Sequence, residues 1–353
     1  MVKLQIDYNQ KGEKLYLECS YKLAAEYFAR ALAIEPNNAW FCQNLAEATA
    51  RLSYKKGDLW TNEQLGNLLK KQGKATVVAS TYRKALKLDP VKVEQHRKSQ
   101  TFKINPPQKN QINNPIFILG CGHSGTSLML AILGNHPQIN PIPRESALYL
   151  KTDADIQLAM RDWDVECRNL GMTRWAEKTP SHIFQIHRLI AFRPNAKFII
   201  MMRDGRDVVC SLKYRISSNS FKERLERWIY DNMAGMSWWC HPQVKVVKYE
   251  SLIANTVDTL REICFFLELN YTELLLEYHK TERRWYSDDI QKPNTIETHN
   301  DHKNNRNWQI NQPIFDGRER WKLEMSYDEK QKFKKSPAQN LLQRFGYVTD
   351  SNW

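Results

Sequence analysis

From residue 115 onward, short apolar runs alternate with stretches of helical spacing. "PIFILG" (115–120), "RWAEK" (174–178), "KFIIMMR" (197–203) and "VKVVKYE" (244–250) read as strands. The runs at 115 and 197 are apolar at nearly every position, as strands covered on both faces are. Between and after them, "GTSLMLAILGNH" (125–136), "SHIFQIHRLIAF" (181–192), "RDVVCSLKYRI" (206–216) and "TVDTLREICFFLEL" (256–269) carry apolar residues at helical spacing. The alternation predicts an α/β domain over 115–353, a mostly parallel sheet with helices on both faces. Residues 283–312 are polar and poorly periodic, which predicts a lid, a binding loop or disorder. The pairs Trp238–Trp239 and Phe265–Phe266 are expected in the core.

The first hundred residues follow a different pattern. "AAEYFARALAIEPNN" (24–38) and "VASTYRKALKLDPVK" (78–92) place an aromatic, an alanine and a proline at matching offsets, and Gly12 and Gly66 precede the two prolines at equal distance. These small and large positions resemble helix-turn-helix units of the tetratricopeptide repeat. Residues 1–100 are therefore expected to form a small all-α repeat domain. It would present an acceptor or a protein partner, or serve as a helical cap or dimer surface. The polar, basic stretch 101–114, interrupted by Pro106 and Pro107, reads as a linker.

Composition narrows the partners. Lys and Arg outnumber Asp and Glu by 52 to 39, and the net charge of +13 suits an anionic ligand as well as a basic solvated surface. The seven cysteines include no C-x-x-C pair, which argues against a disulfide framework or a zinc site and for a reducing, cytoplasmic setting. No apolar run reaches the length of a membrane span, and no nucleic-acid-binding motif is present.

The chemistry concentrates at "GCGHSGTS" (120–127), where a predicted strand passes through glycines into a predicted helix. Such a turn aims backbone N–H groups and a helix N-terminus at one point, a ready anion site. Gly120 and Gly125 have the spacing of a nucleoside-triphosphate loop, yet Thr126 stands where its lysine belongs, so Mg-triphosphate hydrolysis is poorly supported. Three further stretches, "HPQINPIPRESALYL" (136–150), "RWAEKTPSHIF" (174–184) and "NAKFIIMMRDGRDVVCSLKYR" (195–215), follow in order. With "VVKYESL", "GRERWK" and a terminal "LLQRFGY", they resemble the sulfotransferases that use 3'-phosphoadenosine 5'-phosphosulfate (PAPS), above all the branch containing protein-tyrosine sulfotransferases and bacterial enzymes with tetratricopeptide repeats.

That resemblance spans residues 115–347 and implies a P-loop-like fold, PAPS as donor, adenosine 3',5'-bisphosphate (PAP) as product, and an acceptor hydroxyl on a peptide tyrosine, a saccharide, or a lipid or natural-product alcohol. By resemblance, Gly122, His123, Ser124, Gly125, Thr126 and Ser127 hold the 5'-phosphosulfate, and Arg203 and Ser211 hold the 3'-phosphate. Arg215, Tyr249 and Arg320 are expected near the nucleotide, with Arg318 as second choice to Arg320. Glu145 is the expected general base and Lys178 the group that stabilises the leaving oxygen; Glu177 and His182 are fallback bases. A phosphosulfate carries less charge than a triphosphate, so in-line transfer can rest on hydrogen bonds and side-chain cations, and no metal is expected. The loop departs from the family at His123, where arginine is usual. "ETHNDHK", with His299 and His302, lacks a third strong ligand for a metal site. The alternative reading is a repeat scaffold whose second domain binds PAPS or PAP without turnover.

Overall fold

The computed structural model describes residues 112–353 except 214–219, 237, 240, 295 and 297, together with Tyr8, Lys11, Gly12, Leu15, Leu23, Ala24, Tyr27 and Phe28. The chain divides into two compact units, Met1–Asn105 and Pro106–Trp353. In the first, Phe28 is 1% exposed and lies so close over Gly12 that a Cβ there would meet its ring at 2.5 Å. The tetratricopeptide reading otherwise lies outside the described residues.

The second unit is built on five parallel strands: β1 (Ile116–Gly120), β2 (Ile139–Pro141), β3 (Arg174–Lys178), β4 (Lys197–Met202) and β5 (Val244–Lys248), in the order β2-β3-β1-β4-β5. The chain fills one side of β1 with β3 and β2, then crosses to the other side with β4 and β5. The boundary between β1 and β4 is therefore a topological switch point, where open α/β sheets bind ligands beyond the carboxyl ends of their strands. The β1–β4 register runs from Ile116 opposite Lys197 to Gly120 opposite Met201.

The doubly apolar strands serve two cores. Ile116, Ile118, Ile199 and Met201 join one cluster with Leu130, Ile132, Leu260 and Ile263, while Phe117, Leu119, Phe198 and Ile200 join the other with Trp175, Ile156 and Ile186. Alternation sends neighbouring side chains to opposite faces, so both faces are covered. The covering helices include α1 (Thr126–Leu133), α2 (Asp153–Asn169), α3 (Ile186–Phe192), α4 (Gly205–Lys213), α5 (Phe221–Met236), α6 (Tyr249–Ala254) and α7 (Thr256–Phe266).

Several expectations change at the level of elements. The segment 181–192 divides at Gln185 into a 3-10 turn, Pro180–Phe184, and α3. The strand at 244 stops at Lys248, and Tyr249 opens α6. Residues 283–312 contain a helix, α8 (His299–Ile310), started by a capping box in which the Thr298 hydroxyl and the Asp301 carboxylate each accept from the other residue's backbone N–H. Trp238 and Trp239 pack against the core, and so does Phe266. Phe265, however, is 86% exposed, because neighbours on a helix point about 100° apart and only one of the pair can face inward. None of the described helices is long and apolar enough to cross a membrane.

Candidate active site

Every predicted side chain that the structure gathers lies beyond the carboxyl edge of the sheet. β1 ends in Gly120 at φ 132, and the loop continues through His123 at φ 70 to Gly125 at φ 88, which opens α1. The positive φ at Gly125 is easy for glycine, and the bare Cα also admits the Tyr249 ring, whose Cδ2 would lie 2.9 Å from an added Cβ. At Gly122 the close neighbour is the Arg227 guanidinium, 2.5 Å from where a Cβ would stand. Arg227, from α5, is a cation against the loop that the sequence did not single out; it pairs with buried Asp231 at 3.6 Å.

Arg203 follows β4 and ties the surrounding elements together. Its Nη1 donates to the His123 carbonyl at 3.2 Å, its Nη2 to the Gly317 carbonyl, and its guanidinium lies 4.3 Å from the centroid of the Tyr249 ring. Tyr249 in turn donates its hydroxyl to the Phe315 carbonyl. The His123 Nδ1 meets the Ser211 hydroxyl at 2.9 Å, joining the loop to α4. His302, on α8, stacks on His123 with centroids 5.8 Å apart. Asp207 fixes the other side by accepting from the backbone N–H groups of Glu319 and Trp321. Arg320, in that segment, is engaged with Glu324 at 2.7 Å, and Arg318 with Asp316 at 2.7 Å. Arg215 lies outside the described residues.

The second centre lies at the end of β3. Lys178 is fully buried, and its Nζ donates to Glu145 Oε1 at 2.7 Å; the same carboxylate oxygen takes Arg306 Nη2 at 2.8 Å. Burial pushes the Glu145 carboxyl up, but the two cations outweigh it and hold the group at about 2, so it is ionised at neutral pH. Arg306 also donates to the Ser127 hydroxyl at 3.2 Å and stacks 3.9 Å from the centroid of the Tyr286 ring. Tyr286 contacts Ser127 through its own hydroxyl at 3.0 Å. Sequence reasoning missed Arg306 and Tyr286 because both lie in the polar stretch with no apolar period. The T-x-x-D box at 298–301 was the available signal for a helix there.

The fallback bases are engaged in holding the backbone. Glu177 Oε1 accepts from the Ser146 N–H and hydroxyl and from the Thr179 hydroxyl, while Oε2 stands 3.0 Å from His182 Nδ1. His182 Nε2 accepts from the Leu148 N–H, which assigns the proton to Nδ1 and a neutral ring facing Glu177. These bonds fix the turn that carries Glu145. The described cysteines, Cys121, Cys167, Cys210 and Cys264, are buried, and burial pushes the last three thiols up to about 11, 12 and 11. No group of three or more His, Cys, Asp or Glu able to hold a metal occurs among the described residues.

The donor set fits a phosphorylated, sulfated nucleotide. The Ser124 hydroxyl and Arg203 Nε are buried with no hydrogen-bond partner, and both belong to the region expected to meet its anionic groups. Fold and site thus define an α/β domain whose glycine loop lies at the switch point of a parallel sheet, a geometry suited to an anion.

Comparison with known proteins narrows that class. Residues 156–273 match the sulfotransferase family, a span that includes Lys178, Arg203, Ser211 and Tyr249. A protein-tyrosine sulfotransferase of Drosophila melanogaster is 27% identical over 216 residues, 51% of this chain and 42% of that protein. An uncharacterized protein of Aquifex aeolicus is 26% identical over 207 residues, 48% of this chain and 27% of the other. The sulfotransferase domain of the Synechococcus PCC 7002 olefin synthase aligns over 69% of this chain and 98% of its own at 20% identity, with a TM-score of 0.41. Over residues 156–273 the chain is thus similar to the sulfotransferase family, and its relatives by sequence include proteins named protein-tyrosine sulfotransferases. It spans less than half the length of the two relatives described by sequence.

Proposed function

We propose that the second unit transfers a sulfuryl group from PAPS to an acceptor hydroxyl, with a peptide tyrosine as the leading acceptor. The observation that carries this reading is the convergence of the glycine loop, Arg203, Lys178 and Glu145 on one sheet edge of a chain whose residues 156–273 match the sulfotransferase family. The tyrosine preference is supported by relatives named protein-tyrosine sulfotransferases. Saccharide and natural-product or lipid alcohols are the other acceptors to be tried.

PAPS, when bound, supplies an activated sulfuryl group whose leaving group is PAP. The loop from Gly122 to Ser127 surrounds the phosphosulfate with backbone N–H groups and the hydroxyls of Ser124, Thr126 and Ser127. Arg203 and Ser211 hold the 3'-phosphate, Tyr249 supports Arg203, and Arg227 adds a cation to the loop. Glu145 accepts the acceptor's proton, and Lys178 donates to the leaving oxygen. Preorganised donors of this kind lower the barrier because they need no rearrangement as charge develops.

Titration calorimetry with PAP, and with ATP plus Mg as control, on wild type and Arg203→Ala tests the donor site. Selective binding lost in the variant is expected. Turnover is tested on the full chain with PAPS and a panel of tyrosine peptides, saccharides and simple alcohols. A second reading, a repeat scaffold that binds PAPS or PAP without turnover, is favoured by one observation: Glu145 and Lys178 neutralise each other across 2.7 Å. PAP binding with no product on any acceptor would select it.

A further inference from the structure

The proposed acceptor hydroxyl has a counterpart within the chain itself. Tyr286 brings a phenol to the loop hydroxyl of Ser127 at 3.0 Å, and two cations approach its ring, the Arg306 guanidinium at 3.9 Å and Lys178 Nζ at 5.2 Å from the centroid. Both cations also hold Glu145, so the phenol, the carboxylate and the loop share one charged cluster.

The backbone around Tyr286 is fixed. Trp285 is buried in the core, the Tyr286 N–H donates to Asn307 Oδ1, and the Asn307 side-chain amide, fully buried, donates to the Ser287 and Asp289 carbonyls. The phenol is thus held among the groups assigned to the transfer. Burial pushes its pKa up, but Lys178, Arg306 and the bond to Ser127 outweigh it and bring the group below the ordinary tyrosine value. The hydroxyl therefore gives up its proton more readily than an ordinary tyrosine does, which helps the oxygen act as a nucleophile.

We propose that Tyr286 is an internal acceptor: given PAPS, the chain sulfates its own Tyr286 hydroxyl in cis. The inference rests on the donor assignment above. The phenolic oxygen forms a bond to sulfur as the bond from sulfur to the bridging oxygen of PAPS breaks; PAP leaves with that electron pair, and the phenolic proton passes to Glu145. The product is an aryl sulfate monoanion facing Arg306 and Lys178, the cations that oriented the phenol. It occupies the position of an external acceptor, so the reaction occurs once per chain and lowers turnover on added substrates.

The test incubates the full chain with PAPS and no acceptor, then maps sulfate by peptide mass spectrometry under conditions that preserve sulfotyrosine. One sulfuryl group on the peptide containing Tyr286 is expected, with a first-order rate constant independent of protein concentration and no mark on Tyr286→Phe. The peptide map of the unaltered chain decides the question alone should that variant not fold. A parallel reaction with tyrosine peptides and a PAP titration separate the two claims. If peptides are sulfated and Tyr286 is not, the internal acceptor is ruled out while the proposed function stands. Modification elsewhere, or a rate that rises with protein concentration, also overturns it. If PAP binds and nothing is sulfated, transfer itself fails and the internal acceptor with it.

Discussion

At the scale of single residues, the proposed role of Glu145 can be tested by separating chemistry from binding. Glu145→Gln keeps the size of the side chain and removes the proton acceptor, so kcat should fall by about 10²–10⁴-fold, the range of general-base contributions, while PAP affinity measured by calorimetry stays near that of wild type. The carboxyl is depressed from its ordinary 4.5 to about 2, which means the pair with Lys178 stabilises the fold above the ordinary value and loses that contribution as pH falls from 4.5 through about 2. Acid unfolding followed by tryptophan fluorescence should therefore move to lower pH in wild type than in the Gln variant. His123→Arg restores the arginine usual in the family loop and should retain or improve PAP binding; a large loss of affinity would give the histidine and its bond to Ser211 a role of their own. Arg203 was legible in the sequence because it ends an apolar strand, where ligands of such sheets bind, whereas Lys178 was singled out only through the family resemblance. Arg306 and Tyr286 were not, since nothing local to residues 286–306 says that they meet Ser127.

Among the elements, the junction of β1 with β4 is the most sensitive to volume. Gly120 sits at φ 132, and a Cβ there would run into the Met201 carbonyl oxygen, an atom of the neighbouring strand. Gly120→Ala should lower the free energy of unfolding by on the order of 3 kcal/mol, combining backbone strain with overpacking, as read by urea denaturation. Gly122→Ala is the contrasting case. Its obstacle is the end of the Arg227 side chain, which can move, so stability should hold while PAP affinity changes. The segment 315–321 is fastened by the carboxylate of Asp207 and by Arg203 to Gly317. The strands β1, β3, β4 and β5 were readable from apolar runs; β2, three residues with a proline, was too short to signal itself. Helix α8 was hidden by its composition, since "HNDHKNNRNWQI" has almost no apolar stripe and takes its order from a capping box and from buried Asn307 and Ile310.

For the whole molecule, nucleotide binding and stability are linked. A ligand that binds only the folded second unit should stabilise it by about 2.7 kcal/mol at a hundred times its Kd. Thermal unfolding with saturating PAP should rise in wild type and remain unchanged in Arg203→Ala. The strand order β2-β3-β1-β4-β5, which creates the switch point beneath the loop, was not legible, because alternating strands and helices say which elements exist and not which strands are neighbours. The basic balance of the chain was legible and pointed to an anion, but it could not tell a site from a surface: Lys197 and Lys245 spend their charge on Glu268 and Glu262, far along the sheet from the loop.

Among the fastenings of α8, Arg306 to Glu145 and His302 against His123 carry a kinetic consequence. We predict that a ligand seated on the loop exchanges past this helix, with a residence time set by how often these contacts open. Glu145 is 37% exposed, and ions in solution reach the pair and screen it. Dissociation of PAP in stopped flow should quicken as salt rises, and the salt dependence should flatten in Arg306→Met. Where product release limits turnover, moderate salt would raise kcat even as it weakens binding, and ionic strength would act as a throttle on the cycle.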